Sequence, residues 1–477
     1  MRHRRWVVAA LAGTMVLGVA GGALAAGFDF GVRRDRDLAN NSKRLFGFDK
    51  PVAASSPESI DAATAEAKPT KLVKLAKGLE AEVVSSRPEL GANTDMMVLW
   101  PNDEDPTHLI TCNESGATVP GVQRISLYTG SVATIVTGTV ACDGIEATAW
   151  GSIIFSEEAG SAGQAYELVA PLETTGVTLD RATGTFSGGA GAANLVRLDS
   201  LNRLSYEGLG LLPSGVLYYG DEQRPGSGTP GGAYFKFTPA DPWTEADGPI
   251  SDLSESPFAS GKVQGLRLGL RSGATDWGQG SQTGQGVWVE VCDDAGATPC
   301  ANLDLRATAA ALKLTGYYRP EDLEADPIAV ANGQATVCGP NTGIEEFSNF
   351  GEVICLTDGT LDEALSGTGA PEVQYLAMGT PQFAMPDNIA PQPGTGNWIV
   401  HEDGDQLQGN NDIFSCLRDG ADDDLLSDGC LRFLTLNDLT AETTGGVFDA
   451  TGKHFYVSIQ HNITGHGVVL DVTGWKV

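Results

Sequence analysis

Positive charge is what this sequence has least of. Its 477 residues hold 30 Lys and Arg against 61 Asp and Glu, a formal net charge of −31. A field of that sign repels nucleic acid and anionic lipid, and it admits a phosphate ester only where cations neutralise the site. Nucleic acid is therefore not an expected partner. Histidine is scarce too, at six, and no Gly-x-Ser-x-Gly elbow occurs, so a serine–histidine hydrolase has no support. None of the eight cysteines lies in a Cys-x-x-Cys pair, which argues against a zinc–thiolate cluster. The glycine-rich stretches GGAGAAN (188–194) and PGSGTPGG (225–232) lack the strand-to-helix context of a phosphate loop.

Long apolar runs are also missing beyond the N-terminus. There Arg2, Arg4 and Arg5 precede WVVAALAGTMVLGVAGG, and ALA at 23–25 supplies small residues for cleavage. The pattern predicts an export signal over residues 1–26, of twin-arginine type through Arg4–Arg5, with an uncleaved anchor as the alternative. The mature chain is then extracytoplasmic, without stable membrane insertion, and a monomer is expected. An even number of cysteines in an exported chain implies disulfides. Pairing of sequential neighbours is the simplest scheme: Cys112 with Cys142, Cys292 with Cys300, Cys338 with Cys355, and Cys416 with Cys430.

What the chain does have is glycine, 61 residues of it, and many short alternating runs with little helical periodicity. That predicts an all-β fold. A unit recurs in YEGLGLLPSGVLYYGDE (206–222), PEDLEADPIAVANGQATVCGP (320–340), PDNIAPQPGTGNWIVHEDG (386–404) and AETTGGVFDATGKHFYVSIQH (441–461). Each opens near an acid (Glu207, Glu321, Asp387, Glu442), then runs strand, turn, strand. Several second strands end in polar or acidic residues: Asp221–Glu222, Glu402–Asp403, Gln460–His461. WGSIIFSEEAG (150–160), THLITCNES (107–115) and GVWVEVCDD (286–294) read as the strand half of the same unit. Such repetition predicts a β-propeller of six blades over residues 81–477, with a β-sandwich as the alternative. Residues 27–80 are expected to form an irregular arm, and the terminal GHGVVLDVTGWKV to close the ring against TDMMVLWP (94–101).

Innermost strands of a propeller converge on one axis, so acids at equivalent points of the repeats would meet there. Unpaired carboxylates repel one another, and hard cations such as calcium relieve that repulsion; iron or manganese also tolerates carboxylate ligands. Such cations bridge phosphoryl oxygens and activate a bound water. Arg319, in YYRPEDLEADP (317–327), would then hold a phosphate while Glu321 holds a metal. A salt bridge from Arg319 to Glu321 or Asp322 is the competing reading. HEDGDQLQGNND (401–412) lacks the order of a calcium loop, and DGADDDLLSDG (419–429) reads as a solvated loop between Cys416 and Cys430.

These residues resemble the PhoX-type secreted alkaline phosphatases from about residue 40 onward. KRLFGFDKPVAASS resembles the start of their mature domain, and AWGSIIFSEEAG their Trp-Gly-Thr-Trp-x-Thr-Cys-Glu-Glu segment. NRLSYEGLGL is similar to their Gly-Arg-Phe-x-His-Glu-Ala stretch, and YRPEDLEADP to their Arg-Pro-Glu segment; the 383–403 and 440–461 units match later blades. The resemblance implies a six-bladed propeller hydrolysing small phosphate monoesters with iron and calcium in its channel. It assigns Glu157, Glu207 and Glu321 as metal ligands, Arg319 as the phosphate contact and Glu442 as a further acidic position, with Asp387 and Glu402 as looser matches. Two positions depart from the family: Ser156 stands where it has an iron-binding cysteine, and Tyr206 where it has a histidine. A hydroxyl is a poorer iron ligand than a thiolate, so a calcium-only site is an alternative to the iron-containing one. A calcium-dependent lactonase or esterase, and a non-catalytic calcium-stabilised binding propeller, stay open beside the phosphatase.

Overall fold

The computed structural model describes residues 30–225, 231–269, 282–344, 348–404, 409–418 and 429–477. The expected signal over 1–26 lies outside these residues, as do most of the 419–429 loop and parts of the glycine-rich 224–232 and 272–286 segments.

Short β-branched and aromatic runs between glycine or proline turns form antiparallel strands, as their pleat and side-chain stiffness favour. The strands hydrogen-bond into five sheets. The innermost strands are Thr94–Trp100, Cys142–Ala147, Tyr206–Leu211, Glu324–Ala325, Pro386–Pro391 and Glu442–Phe448. Each packs beside the next, and the last beside the first, so they ring a common axis as in a β-propeller. One nine-stranded sheet contains two of these inner strands, because Gly284–Asp293 pairs with both Gly261–Leu268 and Glu372–Met378. The segment GVWVEVCDD is thus an outer strand that bridges two units, and not the strand half of one as the repeat predicts. Alternation does not report distance from the axis.

Inner strands approach closely where glycine allows it. A Cβ at Gly144 would strike the Glu207 backbone, and one at Gly208 the backbone at Asp322–Leu323. Each glycine directly follows an acid, Asp143 or Glu207, so the carboxylates sit where the ring is tightest.

Ring closure differs from the sequence expectation. Val468–Thr473 pairs with Glu80–Ser85, in the register Glu80↔Thr473 and Val83↔Leu470, while TDMMVLW is an innermost strand. The mostly buried burial pattern of Thr94–Trp100 suits an inner strand, whereas Glu80–Ser85 is half exposed, as an edge strand should be. The segment before it carries helices at Phe30–Asn40, Ser42–Leu45 and Ala62–Ala67, and is anchored by Phe46 and Phe48. Both rings are fully buried, and Phe48 packs against Phe433 and Trp475. Val73–Leu75 adds a strand to Cys430–Leu436. All four sequential disulfides form, and Cys112–Cys142 ties a second strand to the inner strand of the next sheet.

Candidate active site

The repeat puts acids on the axis in two tiers. The first lies at or near the start of each inner strand: Asp95, Asp143, Glu207, Glu321, Asp387 and Glu442. The second follows from the strand pairing. Second strands end opposite the inner-strand starts, as in Thr94↔Asn113, Cys142↔Glu157, Tyr206↔Asp221, Pro320↔Asn341, Pro386↔Glu402 and Glu442↔Gln460. The next residue in each case is Glu114, Glu158, Glu222, Thr342, Asp403 or His461. All of both tiers except Thr342 line one cavity of about 490 Å³, together with Arg319 and Arg224. Thr342 stands just behind it, donating its hydroxyl to Glu321 Oε1 at 2.6 Å.

Burial first, and then neighbouring carboxylates, raise Asp95, Glu114, Asp143, Glu158, Glu207, Glu321, Asp387 and Glu442 above the ordinary carboxylate range. Asp143 is pushed well above its ordinary value by burial and by Asp95, Glu114 and Glu158. Glu207 is raised likewise by burial, Asp143 and Glu321. Burial with Glu222 and Glu114 lifts Glu158 to about 9, and burial with Asp403 lifts Glu114 to about 7. Carboxyls in that state are poised to exchange protons for cations. Asp143, Glu158 and Glu207 each offer an oxygen within 4.8 Å of the others, and buried Asp143 Oδ1 has no hydrogen-bond partner. An all-oxygen set with an orphaned acceptor fits a hard cation such as calcium.

Arg319 is the cationic centre of the cavity. It is 9% exposed and adopts a left-handed backbone, φ 59°. Its Nε donates to Glu222 Oε1 at 2.8 Å and lies 3.3 Å from Glu321 Oε1, while Nη2 reaches Asp403 Oδ2 at 3.4 Å. Burial alone would weaken its charge, but Glu321, Asp403 and Glu222 hold the guanidinium firmly protonated.

The sequence-derived residues divide. Glu207, Glu321, Asp387, Glu442 and Arg319 meet in the cavity. Glu157 does not. It is fully buried and points the other way, accepting Val140 N and Arg181 Nε at 2.9 and 2.8 Å, while its neighbour Glu158 faces the axis. Glu402 also faces away, accepting the Ala384 and Asp412 amides in a separate pocket beside Arg432. Both are the last residue of a second strand, and strand alternation sends the following residue, Glu158 or Asp403, inward. Asp95, Asp143, Glu114, Glu158, Glu222, Asp403 and His461 went unassigned from sequence. The T-D, C-D, Y-E and P-D dipeptides opening four inner strands are the signal that would have found the first two.

The departures from the family are structurally plain. Ser156 is buried and donates its hydroxyl to the Gly144 carbonyl at 3.1 Å. Tyr206 turns into the core, its hydroxyl donating to the Leu201 and Asn202 carbonyls.

Fold and site together define a β-propeller with a carboxylate-lined axial cavity and a buried arginine in it. The sequence profile of the family described as alkaline phosphatase PhoX matches residues 195–462, more than half of the chain. The chain belongs to that family. It is similar in fold to Pseudomonas fluorescens PhoX in complex with vanadate, at 15% identity, over 90% of this chain and 98% of that one, with a TM-score of 0.61. The PQQ-bound aldose sugar dehydrogenase of Streptomyces coelicolor also aligns, at 12% identity over 83% of this chain and 98% of that one, with a TM-score of 0.42. No protein with a curated description matches.

Proposed function

We propose that the protein is an extracytoplasmic, cation-dependent phosphatase that hydrolyses phosphate monoesters in the axial cavity. The observation that carries this is the convergence of inner-strand carboxylates and Arg319 on one cavity. Four disulfides suit an oxidising compartment, and export by the N-terminal signal belongs to the same reading.

Asp143, Glu158 and Glu207 would hold a cation, with Glu321, Asp387 and Glu442 close by. The bound cation supplies neutralising charge and polarises phosphoryl oxygens. Without a thiolate at Ser156, the oxygen-only set suits calcium better than iron. Arg319 offers its guanidinium to the phosphoryl oxygens and to the charge that develops on them. Thr342 and Glu222 fix the neighbouring oxygens and the guanidinium itself. A lactonase or a binding propeller would leave this buried arginine only its ion pairs with Glu222, Glu321 and Asp403.

Replacement Arg319→Ala tests the reading. Turnover of p-nitrophenyl phosphate should fall by at least about 100-fold, the range seen when one transition-state donor is removed. Unchanged turnover in a folded, metal-replete variant would refute it.

A further inference from the structure

His461 interrupts the second tier of the cavity. It follows Gln460 at the end of its second strand, as Glu114, Glu158, Glu222 and Asp403 follow theirs. Gln460, however, pairs with the acid Glu442 itself and not with the residue before it, so the imidazole lines the cavity one register step from those carboxylates. Its backbone is left-handed, φ 52°, as is that of Arg319. Such conformations cost a non-glycine residue energy and persist where the surroundings enforce them. The enforcement is visible: His461 N donates to the Ala92 carbonyl at 3.2 Å, and its own carbonyl accepts the Thr440 hydroxyl at 3.3 Å. The main chain is held, yet among the described residues the ring makes no side-chain hydrogen bond. Depth supplies the last element. Asp143, Glu207 and Glu321 are at most 5% exposed, whereas His461 is exposed at the mouth. An ester whose phosphoryl group sits among the deep carboxylates and Arg319 directs its leaving group outward, to the exposed part of the cavity that His461 lines with Arg224.

We propose that His461 is a catalytic residue that donates a ring N–H hydrogen bond to the leaving-group oxygen. This rests on the phosphatase reading. As the phosphorus–oxygen bond to the leaving group breaks, its electron pair passes to that oxygen, and the imidazole N–H takes up part of the charge. Water supplies the oxygen that joins phosphorus and the proton that completes the alcohol. The donor matters most for alkyl esters, whose leaving oxygen carries concentrated charge, and least for p-nitrophenyl phosphate, whose phenolate delocalises it.

The test compares kcat of wild type, His461→Ala and His461→Asn on glycerol 2-phosphate and p-nitrophenyl phosphate, with thermal transition and metal content measured on each. Asparagine tolerates the left-handed backbone and retains an N–H donor. His461→Ala should lose about 100-fold on the alkyl ester and only a few-fold on the aryl ester, and His461→Asn should recover part of the alkyl loss. Equal losses on both esters, no loss on either, or a fall in metal content would overturn the assignment. If wild type hydrolyses neither ester, the phosphatase reading fails and the assignment falls with it. If wild type hydrolyses both and the variants show no leaving-group dependence, the assignment alone fails.

Discussion

Arg319 carries the account at the level of single residues, and its geometry makes a second residue answerable with it. Glu222 takes the guanidinium at Nε, which orients the remaining N–H groups toward the cavity. Glu222→Ala should therefore lower kcat about 10- to 100-fold, as losing an orienting partner commonly does, while Glu222→Gln, which keeps an acceptor, recovers most of it. In an Arg319→Ala background the same change should cost little more, because the two act as a unit. A double-mutant cycle on kcat/KM checks this; additive losses would mean that Glu222 acts independently of the arginine. Arg319 was legible in the sequence as a lone basic residue beside acids. Its competing reading, a salt bridge to Glu321, is also partly right, since both interactions occur in one cluster.

Strands and sheets explain where sequence reading succeeded and where it slipped. Recurrence of acid, strand, turn, strand was legible, and it located four of the inner-strand acids. Parity was not. Glu157–Glu158 and Glu402–Asp403 each present two adjacent acids, and only the pairing register tells which one turns inward. Resemblance chose Glu157, whose buried oxygens are taken by Arg181. Another element-level feature had no sequence signal at all. Lys236 on strand Tyr234–Pro239 pairs with Asp358 on strand Glu352–Thr360, and both side chains are fully buried. Asp358 also accepts Tyr218 Oη and Trp288 Nε1, clamping the two halves of the nine-stranded sheet together. Removing one partner of a buried pair strands the other charge, so Asp358→Ala should destabilise by about 3–5 kcal/mol in denaturant unfolding. A loss below about 1 kcal/mol would show that the clamp is dispensable. Ring closure was missed for a similar reason: the hydrophobic Thr94–Trp100 reads as the partner of the C-terminal strand, whereas that apolar run marks an inner strand and the more polar, half-exposed Glu80–Ser85 closes the ring from the edge.

The whole molecule concentrates negative charge on its own axis, and that arrangement has a stability signature. Glu114 and Glu158 titrate near 7 and 9 in the folded chain, well above the ordinary carboxylate range. Their contribution is fully present below that range and is lost as pH rises through 7 and then 9. In chelator-treated protein the thermal midpoint should fall between pH 6 and 9. Calcium should raise the midpoint more at pH 9, where fewer protons compete for the same oxygens. Differential scanning fluorimetry at both pH values, with and without calcium, reads the effect; an equal shift at both would argue against cation binding by these carboxyls.

The most direct measurement is elemental analysis of the protein purified from its exporting host, paired with p-nitrophenyl phosphate turnover of the same samples, for wild type and Asp143→Asn. Wild type should carry calcium and turn over the ester, and Asp143→Asn should lose both. Turnover that persists in metal-stripped wild type, or in Asp143→Asn with its metal gone, would contradict the account.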